Sequence, residues 1–208
     1  TYFIASYARY DSVKRNYVLG PALIPAQERF KATTTINPAF ELVYWKWALN
    51  TAQQWRVRMG LDRIKIWDDV ITKLSPLTVQ EGRYLFTEDG TDSYTNPVYK
   101  TDHPSVLGAL GILPGSRMVE PATMRTTFNW IMKNWEWDHT WGWDFPMTAM
   151  TATRLGLPDH AIDALKMNIT TNTYLNNGHN YQDKRLTLYL PGNGGLLTAI
   201  AMMCAGFD

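Results

Sequence analysis

The sequence predicts an all-α fold built from antiparallel helical hairpins. Apolar residues recur at the helical period in segments bounded by helix start and stop signals. Those segments follow one another in pairs. No run of alternating apolar and polar residues is long enough for a sheet. With 208 residues, 45% hydrophobic and 19% charged, the chain is long enough to bury a real core in one large domain.

Residues 2–19 read as mixed and extended. Ala8-Arg9-Tyr10 and Tyr17-Val18-Leu19 flank the polar residues 11–16, which predicts a short β-hairpin near the N-terminus. The segment Gly20-Pro21-Ala22-Leu23-Ile24-Pro25-Ala26-Gln27-Glu28 holds two prolines and is read as a loop. Asn37 as N-cap and Pro38 as first residue open a helix over 38–59. Its apolar face is expected to carry Phe40, Val43, Tyr44, Trp47, Ala48, Thr51, Trp55 and Met59, with Gly60 as the stop. A second helix is expected over 64–74, with Ile66, Trp67, Val70, Ile71 and Leu74 on one side.

Residues 75–104 form a polar stretch, and so long a loop in a compact domain usually has a function. Helices are then expected over 105–111, 121–135, 144–155, 159–168 and 195–205. Pair starts near 38/64, 105/121 and 144/159 give three hairpins. The last helix begins a fourth or closes a ring.

Composition excludes several classes. Twenty basic against nineteen acidic residues leave a net charge of +1, without the basic excess of a dedicated nucleic-acid binder. The single cysteine, Cys204, rules out a disulfide framework. No apolar stretch approaches the ~20 residues that span a bilayer, so neither nucleic acid nor membrane is an expected partner. The four histidines, at 103, 139, 160 and 179, show no metal-ligand spacing, and no metal or cofactor is expected. Nine Trp and eleven Tyr stand against seven Phe, so most rings carry a polar atom. Such rings suit a surface that is apolar in its middle and hydrogen-bonding at its edge, as in a carbohydrate cleft, or a helical core that uses Trp.

Four loops concentrate chemistry-bearing side chains. The first holds Gln27 and Glu28. A carboxylic acid there serves as a general acid if burial raises its pKa, or is a surface residue beside Arg29. The second runs from Thr87 to Ser105 and holds Asp102 and His103; Asp102 is also a plausible cap for the following helix. The third, Trp135-Glu136-Trp137-Asp138-His139-Thr140-Trp141-Gly142-Trp143-Asp144-Phe145-Pro146, has four Trp in nine residues mixed with carboxylates. Rings that stack on sugar faces and carboxylates that bind hydroxyls fit that mixture, and Asp144 alternatively caps a helix. The fourth spans 174–195 and brings His179, Gln182 and Asn193 together with glycines that allow close backbone approach.

Taken in order, Pro21-Ala22-Leu23-Ile24-Pro25-Ala26-Gln27-Glu28, Asn37-Pro38, His103-Pro104-Ser105, Trp141-Gly142-Trp143-Asp144-Phe145-Pro146 and Leu190-Pro191-Gly192-Asn193-Gly194-Gly195 resemble the C-terminal part of the catalytic domain of six-hairpin glycosidases. The likeness is to bacterial glycoside hydrolase-like proteins related to family 95 fucosidases and family 65 phosphorylases, and it spans nearly the whole chain. The resemblance implies part of an (α/α)6 toroid and hydrolysis of a glycosidic bond with inversion by two carboxylates. It implies Glu28 as the acid. It also implies a sugar site at the loop end of the barrel, to which Gln27, His103, Trp137, Trp141, Trp143, His179, Gln182 and Asn193 would contribute.

The sequence departs from the fucosidase-like pattern at one point. Pro191 stands where an Asp precedes the Gly-Asn pair, so the base must come from elsewhere. Asp144 is preferred because it lies among the tryptophans, with Asp102 and Asp183 as alternatives. Two other readings follow from the same departure. Phosphate attacks in place of water, with Lys184, Arg185 and Thr187 as its contacts, or the protein binds sugar without turning it over. Residues 1–208 are read as the C-terminal portion of a single catalytic domain, because Thr1 and the Gly206-Phe207-Asp208 end look like cuts. The expected partners are an oligosaccharide or glycoside and the N-terminal portion of the same protein. Location is left open between the periplasm or exterior and the cytoplasm.

Overall fold

The computed structural model describes residues 1–115 and 117–206, so Phe207 and Asp208 lie outside the described residues. About half of the chain is helical, and its strands occur only as short antiparallel pairs. The elements in order are α1 (Tyr2–Tyr7), β1 (Arg9–Asp11), β2 (Asn16–Val18), α2 (Ala39–Arg58), α3 (Lys65–Lys73), β3 (Val79–Gln80) and β4 (Arg83–Tyr84). They continue with α4 (Gly108–Gly111), α5 (Pro121–Asn134), α6 (Asp144–Arg154), α7 (Pro158–Leu165), β5 (Thr173–Tyr174), β6 (Asn180–Tyr181) and α8 (Leu190–Ala205). A 3-10 turn, Ser105–Leu107, leads directly into α4.

The expected N-terminal hairpin forms, with Tyr10 opposite Tyr17. Asp11 Oδ1 closes its turn by accepting the N–H groups of Val13 and Lys14 at 2.9 and 3.0 Å. The six residues ahead of it are helical rather than extended. Tertiary contacts explain that difference: the Trp45 indole N–H donates to Ile4 O at 3.0 Å, and the Tyr2 ring meets Trp67 edge-on at 5.2 Å. The polar stretch after α3 also contains β3 and β4. Glu81 and Gly82 between them have φ of +50° and +75°, the backbone of a tight two-residue hairpin turn.

The buried face of α2 is not the expected one. Ala39, Leu42, Val43, Leu49 and Gln53 point inward, whereas Trp55 and Met59 are exposed. Apolar residues lie on both sides of this helix, so periodicity alone does not choose between them. On α3, Trp67, Val70 and Leu74 are buried as expected and Ile66 is exposed. Asn37 does not cap α2. Its side chain accepts the Leu19 N–H at 2.7 Å and donates to Glu88 at 2.6 Å, while Pro38 takes the cap position.

The core centres on α6, where every residue from Asp144 to Ala152 is buried. Helices α4, α7 and α8 pack around it, and α3 packs on α2. Thr148 and Thr151 survive this burial because their hydroxyls turn back to the carbonyls of Asp144 and Met147. Close approach of α4 depends on Gly111, where a Cβ would stand 2.8 Å from Thr151 N. Leu190 to Gly195, read as a loop, form the opening turns of α8 instead. Two of their glycines serve packing within the protein: a Cβ on Gly192 would overlap Asn180 Oδ1, and one on Gly195 would come within 2.7 Å of Pro146 Cγ. Among the described residues, no helix is long and apolar enough to cross a membrane.

Candidate active site

The segments around residues 28, 102 and 144 converge through hydrogen bonds. Asp144 opens α6, and its carboxylate receives the Trp141 N–H at 2.8 Å, closing the turn between them. Both of its oxygens lie 3.0 Å from His103 Nδ1. The other ring nitrogen, Nε2, faces Asp102 Oδ1 at 3.6 Å. Asp102 Oδ2 accepts the Glu28 N–H at 2.8 Å, which ties the proline loop to the cluster. Asp102 therefore does not cap the following helix, as the sequence had suggested; Pro104 occupies that position.

The backbone makes this arrangement possible. Asp102 holds φ at +65°, a conformation that few residues other than glycine adopt. It is pinned there by its own N–H to His139 O at 3.1 Å and by its carbonyl to the Trp135 indole at 3.0 Å. Strain so restrained is typical of sites where a side chain must be aimed.

Burial grades the three carboxylates. Glu28 is exposed, Asp102 is 5% exposed and Asp144 is fully buried. Burial pushes His103 toward losing its proton, but the hydrogen bond and charge of Asp144, then the charges of Asp102 and Glu28, outweigh it and raise its pKa. Burial also raises Asp144, against the opposing pull of His103 and the Trp141 N–H. The two directions agree once the groups are treated as one titrating pair that keeps a shared proton above the ordinary histidine range. The Trp143 indole nitrogen also lies 2.9 Å from His103 Nδ1, so Trp143 and Asp144 meet at the same ring nitrogen.

The pair has a pH signature. Its folded pKa lies above the unfolded histidine value of about 6.5, so its contribution to stability is complete below that pH. The contribution is lost as pH rises through the folded value. Urea unfolding between pH 6 and 9 is expected to show stability falling as pH rises, and Asp144→Asn is expected to abolish that slope. A slope that survives the substitution assigns the titration to another group.

The remaining candidates divide. Trp141 is half-buried, 6.0 Å from His103 and 5.6 Å from Tyr189 between ring centroids. Trp143 meets His103 edge-on at 4.9 Å and also lines an apolar cavity of about 210 Å³ with Ile112, Met147 and Pro191. Trp137 does not join them: its ring packs toward Phe145 and the core, with the indole N–H buried. Gln27 is buried, donates to Tyr99 O at 2.7 Å, and leaves its Oε1 without a partner.

Gln182 and Asn193 act within the protein. Gln182 accepts the Gly142 N–H at 2.9 Å, and Asn193 accepts the Asn180 N–H at 3.0 Å while donating to Gly178 O at 2.7 Å. His179 lies on the β5–β6 hairpin, its N–H bound to Asn177 at 3.1 Å. Lys184, Arg185 and Thr187 lie in an exposed turn, where Arg185 pairs with Asp183 at 3.1 Å. Asp183 is thereby committed outside the cluster.

Tyr189, within the 174–195 segment but not singled out there, also joins the site. Its ring lies tilted at 43° against Trp141, and burial together with the charges of Asp144 and Asp102 pushes its hydroxyl well up, so it stays a neutral donor. Its place two residues ahead of Pro191 was the available signal. Among the described residues, no group of three or more His, Cys, Asp or Glu is arranged to hold a metal ion. No protein-family model matches the chain, and no curated protein matches it.

Proposed function

We propose that this chain belongs to an (α/α)6 toroid that hydrolyses a glycosidic bond with inversion. The observation that carries this reading is the convergence of Glu28, Asp102, His103 and Asp144 beside Trp141 and Trp143. The packing of α3 on α2 and of α7 on α6 supports the hairpin arrangement. Glu28 is exposed at the end of the proline loop, so the burial that an acid needs must come from the sugar bound over it; with substrate in place it protonates the departing glycosidic oxygen. Its own N–H, held by Asp102, fixes where the side chain starts.

Asp144 is not the base in this scheme. A base must touch the attacking water, and the Asp144 side chain is fully buried against His103. Asp102 takes that role, with Oδ1 as its less engaged oxygen, 3.6 Å from His103 Nε2. Asp144 and Trp143 are positioning residues that set the His103 ring. Tyr189 supplies a neutral donor next to the sugar platform made by Trp141.

The test is turnover on a panel of oligosaccharides and aryl glycosides, with and without inorganic phosphate. Glu28→Gln is expected to lower turnover of unactivated substrates by about a hundredfold or more, while dinitrophenyl glycosides, whose leaving group needs no proton, remain substrates. Asp102→Asn is expected to silence both. Unchanged turnover in Glu28→Gln removes Glu28 from its role. Strict dependence on phosphate overturns hydrolysis, and sugar affinity with no turnover at any pH leaves a binding protein.

A further inference from the structure

A second cavity lies against the middle of α2 and shares no residue with the carboxylate–histidine cluster. Trp47, Asn50, Thr51 and Gln54 follow the spacing i, i+3, i+4, i+7 and so form one face of that helix. A face packed against a neighbour is apolar at those positions. Here three of the four carry a hydroxyl or carboxamide, and the fourth is a half-buried indole. Arg117 lies opposite and Lys46 flanks the helix, and the space they line measures about 480 Å³.

The charge of this cavity is one-sided. Among the described residues, no carboxylate lines it, and neither Lys46 nor Arg117 forms an ion pair with one. Two cations left without counter-charge at one concavity attract an anion. An indole face beside carboxamides suits a ring that is apolar on its faces and hydroxylated on its edge.

We propose that this cavity binds a saccharide unit carrying an oxyanion, either a carboxylate or a sulfate ester. Lys46 and Arg117 hold the oxyanion, the Trp47 ring stacks on the sugar face, and Asn50 and Gln54 bind hydroxyls. The inference goes beyond the hydrolytic reading and does not depend on it, because binding here uses neither Glu28 nor Asp102.

The experiment is a ¹H–¹⁵N NMR titration of the chain with sodium glucuronate, glucose 6-sulfate, glucose and sodium sulfate. Glucuronate or glucose 6-sulfate is expected to shift the Trp47 indole N–H and the Asn50 and Gln54 side-chain amides. Whichever binds more tightly identifies the oxyanion. Glucose is expected to bind about tenfold or more weakly, and Lys46→Gln and Arg117→Gln are each expected to weaken binding about tenfold, as for a hydrogen bond to a charged group. Raising NaCl to about 1 M screens the cations without any substitution and is expected to reduce affinity likewise. Shifts absent for both acidic sugars overturn the proposal. Equal affinity for glucose removes the role of charge, sulfate binding as tightly as the sugars removes the role of Trp47, and salt-insensitive binding moves the site elsewhere; each result overturns it.

Discussion

Replacing Asp144 with alanine is expected to destabilise the chain by about 3–5 kcal/mol, the usual loss when one member of a buried charged pair is removed. The carboxylate is fully buried and receives three contacts: His103 Nδ1 at both oxygens and the Trp141 N–H. Without it, two polar groups lose their partner and a cavity opens at the start of the central helix. Urea unfolding at pH 7 measures the effect directly. Asp144→Asn separates charge from shape. An asparagine retains the volume, accepts from Trp141 and donates to Nδ1, as the carboxyl does when it carries the shared proton. It is expected to cost about 1–2 kcal/mol, near the value of a neutral hydrogen bond. If asparagine costs as much as alanine, the pair is an ionised one, with the proton on His103. A loss below about 1 kcal/mol for alanine would show that the 141–144 turn is held against residues 102–103 by something else.

The ease of reading differed between elements for physical reasons. Helices α2, α3, α5 and α6 were legible because their signals are local: helical apolar spacing and a basic last turn, with a proline near the start of α2, α5 and α6. Helix α1 was not legible. Tyr2–Tyr7 has no side-chain cap and is supported by rings about 40 to 65 residues away, such as Trp45 and Trp67. The start of α8 was misread because three glycines in four residues look like a loop, and helix propensity gives no credit for the close contacts that Gly192 and Gly195 permit.

The candidate site was legible as a parts list and illegible as an arrangement. His103, Asp144, Trp141 and Trp143 stood out by composition, yet nothing local joins residues 41 apart through one imidazole. Sequence gave Asp102 a capping role because Asp before a helix usually caps. Its φ of +65° turns the side chain to the Glu28 N–H instead, and that conformation is a product of the Trp135 and His139 contacts. Trp137 was grouped with its neighbours because four tryptophans lay close together in sequence. A 3-10 turn over Trp137–His139 sends its ring inward while Trp141 and Trp143 flank His103.

Gly142→Ala is expected to be the most damaging single methyl addition at the site, costing about 3 kcal/mol or more by overpacking. Its Cβ would overlap Asn180 Oδ1, stand 2.7 Å from Asn180 Cγ and lie 2.9 Å from the Thr171 carbonyl. Asn180 cannot yield. It is fully buried, its Nδ2 donates to Thr171 and Thr173 carbonyls at 3.1 and 3.2 Å, and a Cβ on Gly192 from the other side would come within 2.6 Å of the same Cγ. The amide is thus wedged between the turn before α6 and the first turn of α8. The glycines read as room for a ligand make room for this side chain. A double-mutant cycle isolates the wedge. Asn180→Ala is costly alone, since Thr171 and Thr173 lose their donor, but in its presence the Gly142→Ala methyl has space, so the combined loss should fall about 1–3 kcal/mol short of the sum. Gly194→Ala serves as the control, because nothing lies within 4 Å of that Cβ. An alanine inside α8 should stabilise by about 0.4–1 kcal/mol. Strict additivity of Gly142→Ala and Asn180→Ala would mean that the turn moves as a unit, and that its position relative to His103 is set by Asp144 alone.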